Sequence, residues 1–281
     1  MSTKQEYWKR MPQQSYIHKE ATMIPGFKAY KDRLTLLLGG NVAGCKLKPL
    51  VIYHSKNPRA LKRIDKNMLP VHYHHNEKAW ITAMLFEDWF VHCFIPEVKD
   101  YCGENKILFK ILLILDSAPG HPQNIGDINE NIKVVFLPPN TTSLIQPMDQ
   151  GAVATFKAYY LLNMFAQAVQ ATDKEEKDLR TFWKEFNVEH WKGVEGGKEE
   201  CMNGVWKNLL QVYVNSFKGF SKDEEVVEIN KKILTLGRSL DLEIDEKHVQ
   251  DLLDVQDVEL TAQDLIALAE ERKRAEEGRR N

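Results

Sequence analysis

The sequence predicts an α/β protein, with a mixed sheet flanked by helices and then a helical C-terminal region. Three observations point there. Residues 107–115 (ILFKILLIL) and 132–137 (IKVVFL) are continuous apolar runs of strand length, the pattern of strands buried on both faces. A long helical repeat follows from Asp149 to about Gln170, with Val153, Phe156, Tyr160 and Met164 along one stripe. From about residue 172 the apolar spacing is only helical. Strands preceding helices in this order give an α/β core.

The remaining elements fall into place around that frame. Leu-Thr-Leu-Leu-Leu-Gly-Gly from residue 34, a Gly/Cys break, and Leu-Lys-Pro-Leu-Val-Ile-Tyr to residue 53 read as a hairpin. Residues 57–66 read as a basic loop with a helical turn, and 71–75 as a short strand. Thr82 caps a helical pattern running to about Tyr101, with Phe86, Phe90, Cys93 and Phe94 at core spacing. Pro96 lies inside it and should kink or restart the helix. Further helices are expected near 177–192, 199–216, 222–239, 245–255 and 261–277. The division expected is a core over 1–171 and a helical region over 172–281.

With 281 residues, 43% hydrophobic and 28% charged, the chain is long enough for a large core and has an ordinary globular composition. The polar start (MSTKQEYWKR) is no signal peptide, and nine apolar-rich residues are too few to span a bilayer, so no membrane partner is expected. Four cysteines at positions 45, 93, 102 and 201 have no paired spacing, which favours reduced thiols over a disulfide framework or a cysteine zinc site. The net charge of −2 conceals a split. Residues 1–70 carry 14 Lys/Arg against 4 Asp/Glu, and the rest 24 against 36. A basic N-terminal third is a hint of nucleic-acid contact, although a merely solvated basic surface has the same composition.

Two carboxylates stand out. Asp116 directly follows the first apolar run and precedes Ser-Ala-Pro-Gly-His. A carboxylate at the carboxyl end of a central strand faces the crevice where α/β sheets hold ligands. Asp149, in Gln-Pro-Met-Asp-Gln-Gly, stands at the start of the long helix, where the dipole favours its ionised form. Together they suit a hard cation such as Mg²⁺, and a pair of such ions serves in-line phosphoryl displacement. Taken singly, each has a plainer reading: Asp116 as a turn residue, Asp149 as a helix N-cap.

The segments YWKRMP, PGFKAYKDRLTLLLGGNVAG, KPLVIYHSKNPRALK, KAWITAMLF, ILLILDSAPGHP, VVFLPPNTTSLIQPMDQG and TFWKEF resemble, in order, the Tigger/pogo branch of DDE transposases. The likeness runs from Tyr7 to about residue 260. It implies an RNase H-like DDE core that binds DNA and uses three acidic residues with Mg²⁺ or Mn²⁺. Asp116 matches the second of these and Asp149 the third, as catalytic and metal-binding residues. The first belongs to an Asp-Glu-Thr segment just before the Tyr-Trp-Lys motif, which places Ser2 where that aspartate should stand. The resemblance also implies that the first strand, which should carry it, and an N-terminal helical DNA-binding region are missing. Glu6 is the only nearby carboxylate that could substitute. Ser117 replaces a usual asparagine, and the HYHH run at 72–75 departs from the pattern; it reads as a solvent-facing strand or loop more readily than as a metal patch.

The expected function is therefore that of a transposase-derived, nuclear protein that keeps DNA affinity through Lys46, Lys48, Arg59, Lys62 and Arg63 and has lost efficient cleavage. The competing expectations are an active Mg²⁺/Mn²⁺-dependent endonuclease and a protein-interaction scaffold acting through the acidic helical half. Self-association is open, and the tail ERKRAEEGRR is at most a weak nuclear signal.

Overall fold

The computed structural model describes residues 1–7, 33–138, 141–174, 179–186, 222–240, 242 and 244–253. The helices expected over 199–216 and 261–277, and the basic tail, lie outside them. The first sheet has four strands in the order β1 (Ser2–Tyr7), β2 (Arg33–Leu38), β3 (Leu50–Tyr53) and β4 (His72–His75). β1 and β2, and β2 and β3, pair antiparallel, and β4 is parallel to β3. A second, parallel pair joins β5 (Ile111–Leu115) to β6 (Ile132–Phe136). The fold is a mixed α/β arrangement.

The hairpin expected from residues 34–53 is β2 and β3, and the basic loop contains 3-10 turns at Arg59–Leu61 and Lys66–Met68. The expected absence of a first strand is corrected, because Ser2–Tyr7 pairs with β2 over its full length, Ser2 opposite Leu38 and Tyr7 opposite Arg33. STKQEY has no apolar run to announce a strand; the pairing comes from the open edge of the apolar β2.

A second correction concerns the first apolar run. Only 111–115 of 107–115 is strand, and it is not buried on both faces. Leu113 and Leu115 are buried, whereas Leu112 is 59% exposed and Leu108 82% exposed. Lys106 takes a left-handed backbone (φ 55°), and Lys110 N–H bonds back to the Leu108 carbonyl, so the chain turns before the strand can begin. Among the described residues β6 is the one strand paired with β5, and the face bearing Leu112 lies open.

Helix α1 (Ala83–Trp89) begins where expected, with Thr82 Oγ1 accepting from Leu85 N at 3.3 Å. It passes through a π-helical turn, Phe90–Phe94, into α2 (Ile95–Glu104). Ile95 N–H donates to the Phe90 carbonyl five residues back. Pro96 next in line has no N–H to offer, which accounts for the widened turn. Phe86, Trp89, Phe90 and Phe94 form an aromatic stack that packs with Leu37, Leu50, Ile52, Leu113 and Leu115 in one hydrophobic cluster.

After the short helix α3 (Thr142–Ile145) and a 3-10 turn, Pro147–Gln150, comes α4 (Ala152–Lys174). Gly151 separates the two at φ 129°, a backbone that only glycine adopts easily. The long helix therefore starts three residues later than expected, with the Gly151 carbonyl accepting from Thr155 N at 2.8 Å. A second cluster gathers Leu34, Leu36, Val51 and Tyr53 of the sheet with Phe156, Met164 and Phe165 of α4. It also takes in Phe182 of α5 (Leu179–Glu185) and residues of the helices Lys222–Ser239 and Glu246–Leu253.

Candidate functional site

Asp116 leaves the end of β5 and is 7% exposed. Ser117 Oγ donates to the Leu137 carbonyl at 2.8 Å, tying the ends of β5 and β6 together. The chain then turns through Ala118, whose carbonyl accepts from His121 N at 2.9 Å. That turn carries the His121 ring back onto Asp116, with Nδ1 2.8 Å from Oδ1 and 3.0 Å from the Asp116 carbonyl. Both facing atoms are acceptors, so Nδ1 holds the proton. The ring is buried and lies against Phe86, centroids 4.6 Å apart. Gly120 makes this turn possible: a Cβ there would come within 2.5 Å of the Ile81 carbonyl oxygen.

Burial pushes the Asp116 carboxyl up. The His121 hydrogen bond, the imidazole's charge, the Met1 amine and the Ala118 backbone N–H outweigh it and hold the group below its ordinary 3.8. Asp116 is thus a buried anion kept ionised by close partners.

Met1 reaches this same place. Its amine donates to the Ile114 carbonyl at 2.7 Å, and its carbonyl accepts from Nε2 of the buried Gln146 at 2.7 Å. Burial lowers the amine to about 6, while the charges of Asp116 and Asp149 act to raise it. Asp149 sits in the 3-10 turn, its N–H bonded to the Gln146 carbonyl at 3.0 Å. The charges of the two carboxylates singled out from the sequence thus both act on the Met1 amine.

The other expected site residues are split by the sheet. Ser2 faces Leu38, Leu37 faces Leu50, and Leu50 faces His72, which marks one end of the sheet. Lys46 and Lys48, in the β2–β3 connection, lie at that end. A Cβ on Gly39 would approach Leu47 at 2.8 Å and Met1 at 2.9 Å, so this connection adjoins Met1. Arg59, Lys62 and Arg63 lie in the crossover between β3 and the parallel β4 and are exposed. Glu6 pairs with Leu34, towards the opposite end of the sheet, about 17 Å along the strand from Met1 at the usual strand rise. His121 and Gln146 were not legible as site residues. The D-S-A-P-G-H spacing was the one available signal for His121, and only the turn reveals that it points back.

A two-ion centre needs a carboxylate that bridges both ions. Among the described residues no group of three or more His, Cys, Asp or Glu side chains is placed to hold a metal ion. One oxygen of Asp116 is already taken by His121. This donor set does not fit such a centre.

The family model described as DDE superfamily endonuclease matches residues 31–191, more than half of the chain. Human Tigger transposable element-derived protein 7 is 34% identical over 223 residues, covering 73% of this chain and 40% of that protein. The human Jerky protein homolog is 37% identical over 158 residues, 55% of this chain and 28% of that protein. Mouse Tigger transposable element-derived protein 4 is 31% identical over 169 residues, 59% and 31% respectively. The chain therefore spans less than half the length of these curated relatives. No solved structure matches. On the family match and the ordered likeness to these relatives, the chain belongs to the DDE superfamily endonuclease family.

Proposed function

We propose that this chain is a transposase-derived nucleic-acid-binding protein whose DDE endonuclease domain, of RNase H-like type, no longer cleaves. The observation that carries the reading is the make-up of the site. Asp116 is paired with His121, and Ser2 stands where the resemblance calls for a third carboxylate. Such a place holds Mg²⁺ or Mn²⁺ weakly at best, and no cleavage step follows from it. Binding is supported by the basic balance of residues 1–70 and by the exposed Lys46, Arg59, Lys62 and Arg63. Nuclear residence and a functional division near residue 171 belong to the same proposal.

The test is supercoiled plasmid incubated with Mn²⁺ and either the wild-type chain or Asp116→Ala/Asp149→Ala. The expected outcome is retardation of the plasmid by the wild type with no nicking above that of the double variant. Mn²⁺-dependent nicking by the wild type alone would overturn the reading and establish a working endonuclease.

A further inference from the structure

The β5–β6 pair has one covered face and one open face. In its parallel register Leu112 stands opposite Lys133 and Ile114 opposite Val135, so these four residues share a face. Leu113 and Leu115 lie on the other face, in the cluster that Phe86 and Phe90 build with Leu37, Leu50 and Ile52 of the main sheet. On the main sheet the face away from that cluster, carrying Leu34, Leu36 and Val51, is covered by α4 and the later helices. The Met1 amine on the Ile114 carbonyl brings the two sheets together. The Leu112 face of β5–β6 therefore continues the side that helices cover elsewhere. Yet Leu112 is 59% and Val135 41% exposed, and just ahead of β5 Ile107 is 53% and Leu108 82% exposed. Exposed Lys110 and Lys133 make the charge here basic, with Glu130 lying ahead of β6.

We propose that this face is the docking site of the chain's own acidic segment 261–271, which lies beyond the described residues. The described structure ends at Leu253, whose carbonyl accepts from Lys157 Nζ on α4 at 3.4 Å, so the chain continues from the helix-covered side. Lys157 is six residues, about 9 Å of helix, from Gly151 and the turn that follows Gln146, which holds the Met1 carbonyl. Residues 254–260 can span about 23 Å when extended. Thr261-Ala-Gln-Asp264 then has the pattern of a helix capping box ahead of an apolar run. Leu265, Ile266, Leu268 and Ala269 fall on one helical face. Residues 254–271 hold six Asp/Glu and no Lys or Arg, opposite in sign to Lys110 and Lys133. The apolar stretch at 205–214 lacks that complementarity, having Lys207 and no acid. A twofold pairing of this face with a second copy would set lysine against lysine, which is unfavourable.

With the segment in place β5 is covered on both faces, the surroundings that a continuous apolar run such as Ile107–Leu115 suits. The docking is independent of the nucleic-acid reading, since neither Asp116 and Asp149 nor the basic groups of residues 46–63 take part.

The test is zero-length carbodiimide cross-linking of the full chain, mixed from unlabelled and nitrogen-15-labelled protein, with linked peptides identified by mass spectrometry. Lys110 or Lys133 is expected to be joined to Asp264, Glu270 or Glu271 within one isotope. Hydroxyl-radical footprinting gives an independent reading on the full chain. Leu265→Asp/Leu268→Asp is expected to raise oxidation of Leu108 and Leu112 by about threefold as the apolar patch is bared. Oxidation of Met84 on α1, already 58% exposed, should stay unchanged. Links only between unlike isotopes would put a second copy on the face, and unchanged oxidation of Leu108 and Leu112 in the variant would leave the segment off it. Either result, or the absence of any such link, overturns the proposal. Should the variant not fold, the wild-type cross-links still decide.

Discussion

At the residue scale, Asp116 at the end of β5 is paired with His121 at 2.8 Å. This pairing keeps a buried carboxylate charged, and removing either partner leaves the other stranded in a poorly solvated place. Loss of one member of a buried pair typically costs about 3–5 kcal/mol. His121→Ala is therefore expected to lower unfolding stability by about that amount in a denaturant titration; a loss under about 1 kcal/mol would mean the pair contributes little. The pH dependence has a definite sign. A carboxyl held below 3.8 in the folded chain contributes stability that is fully present above its unfolded value. That contribution is lost as pH falls through the lower folded value. Asp116→Asn should abolish this acid-side loss, so the stability gap between wild type and variant should narrow below about pH 4. Asp116 itself was visible in the sequence from its place after an apolar run. His121 was not, because its role depends on a turn that brings a residue five positions on back to the strand end.

At the scale of elements, local chemistry set most boundaries and neighbours decided the rest. Thr82 and Pro96 announced the start of α1 and the irregularity before α2. The long helix was legible from its stripe, whereas its start was not: Gly151 with its positive φ holds Asp149 in a separate turn. Two glycines give a contrasting prediction. Gly120→Ala brings a methyl to within 2.5 Å of a backbone oxygen and should cost about 1–3 kcal/mol. Gly103→Ala on α2 meets nothing within 4 Å and should be neutral or gain up to about 1 kcal/mol. Thermal or denaturant unfolding of the two variants side by side checks both.

At the scale of the whole molecule, the sheet and the later helices are parts of one packing. Helix α4 continues past residue 171 to Lys174 and shares its cluster with β2, β3 and the helices Lys222–Ser239 and Glu246–Leu253. Lys157 of α4, buried, donates from Nζ to the Leu253 carbonyl at 3.4 Å. The two basic groups lie in different connections, β2–β3 and β3–β4, so they can be tested separately. Charge reversal of Lys46 and Lys48, or of Arg59, Lys62 and Arg63, should weaken duplex binding. Each lost phosphate contact should make the slope of log K against log salt shallower by about 0.9. Fluorescence anisotropy at several salt concentrations measures this, and slopes unchanged in both variants would remove these residues from the interface.

By itself the sequence determined the family, the hairpin, the strand–helix order and the two carboxylates, because each is written in local runs, caps and ordered motifs. Only the tertiary structure decided what those carboxylates face. Which charges meet is set by long-range pairing, with Met1 on Ile114, His121 on Asp116, and His72 of β4 beside Glu97 of α2. Contacts between distant residues leave no periodicity in the chain. The same holds for the strand at Ser2–Tyr7, which forms because β2 offers it an edge, and for β5, whose Leu112 stays 59% exposed within an apolar run.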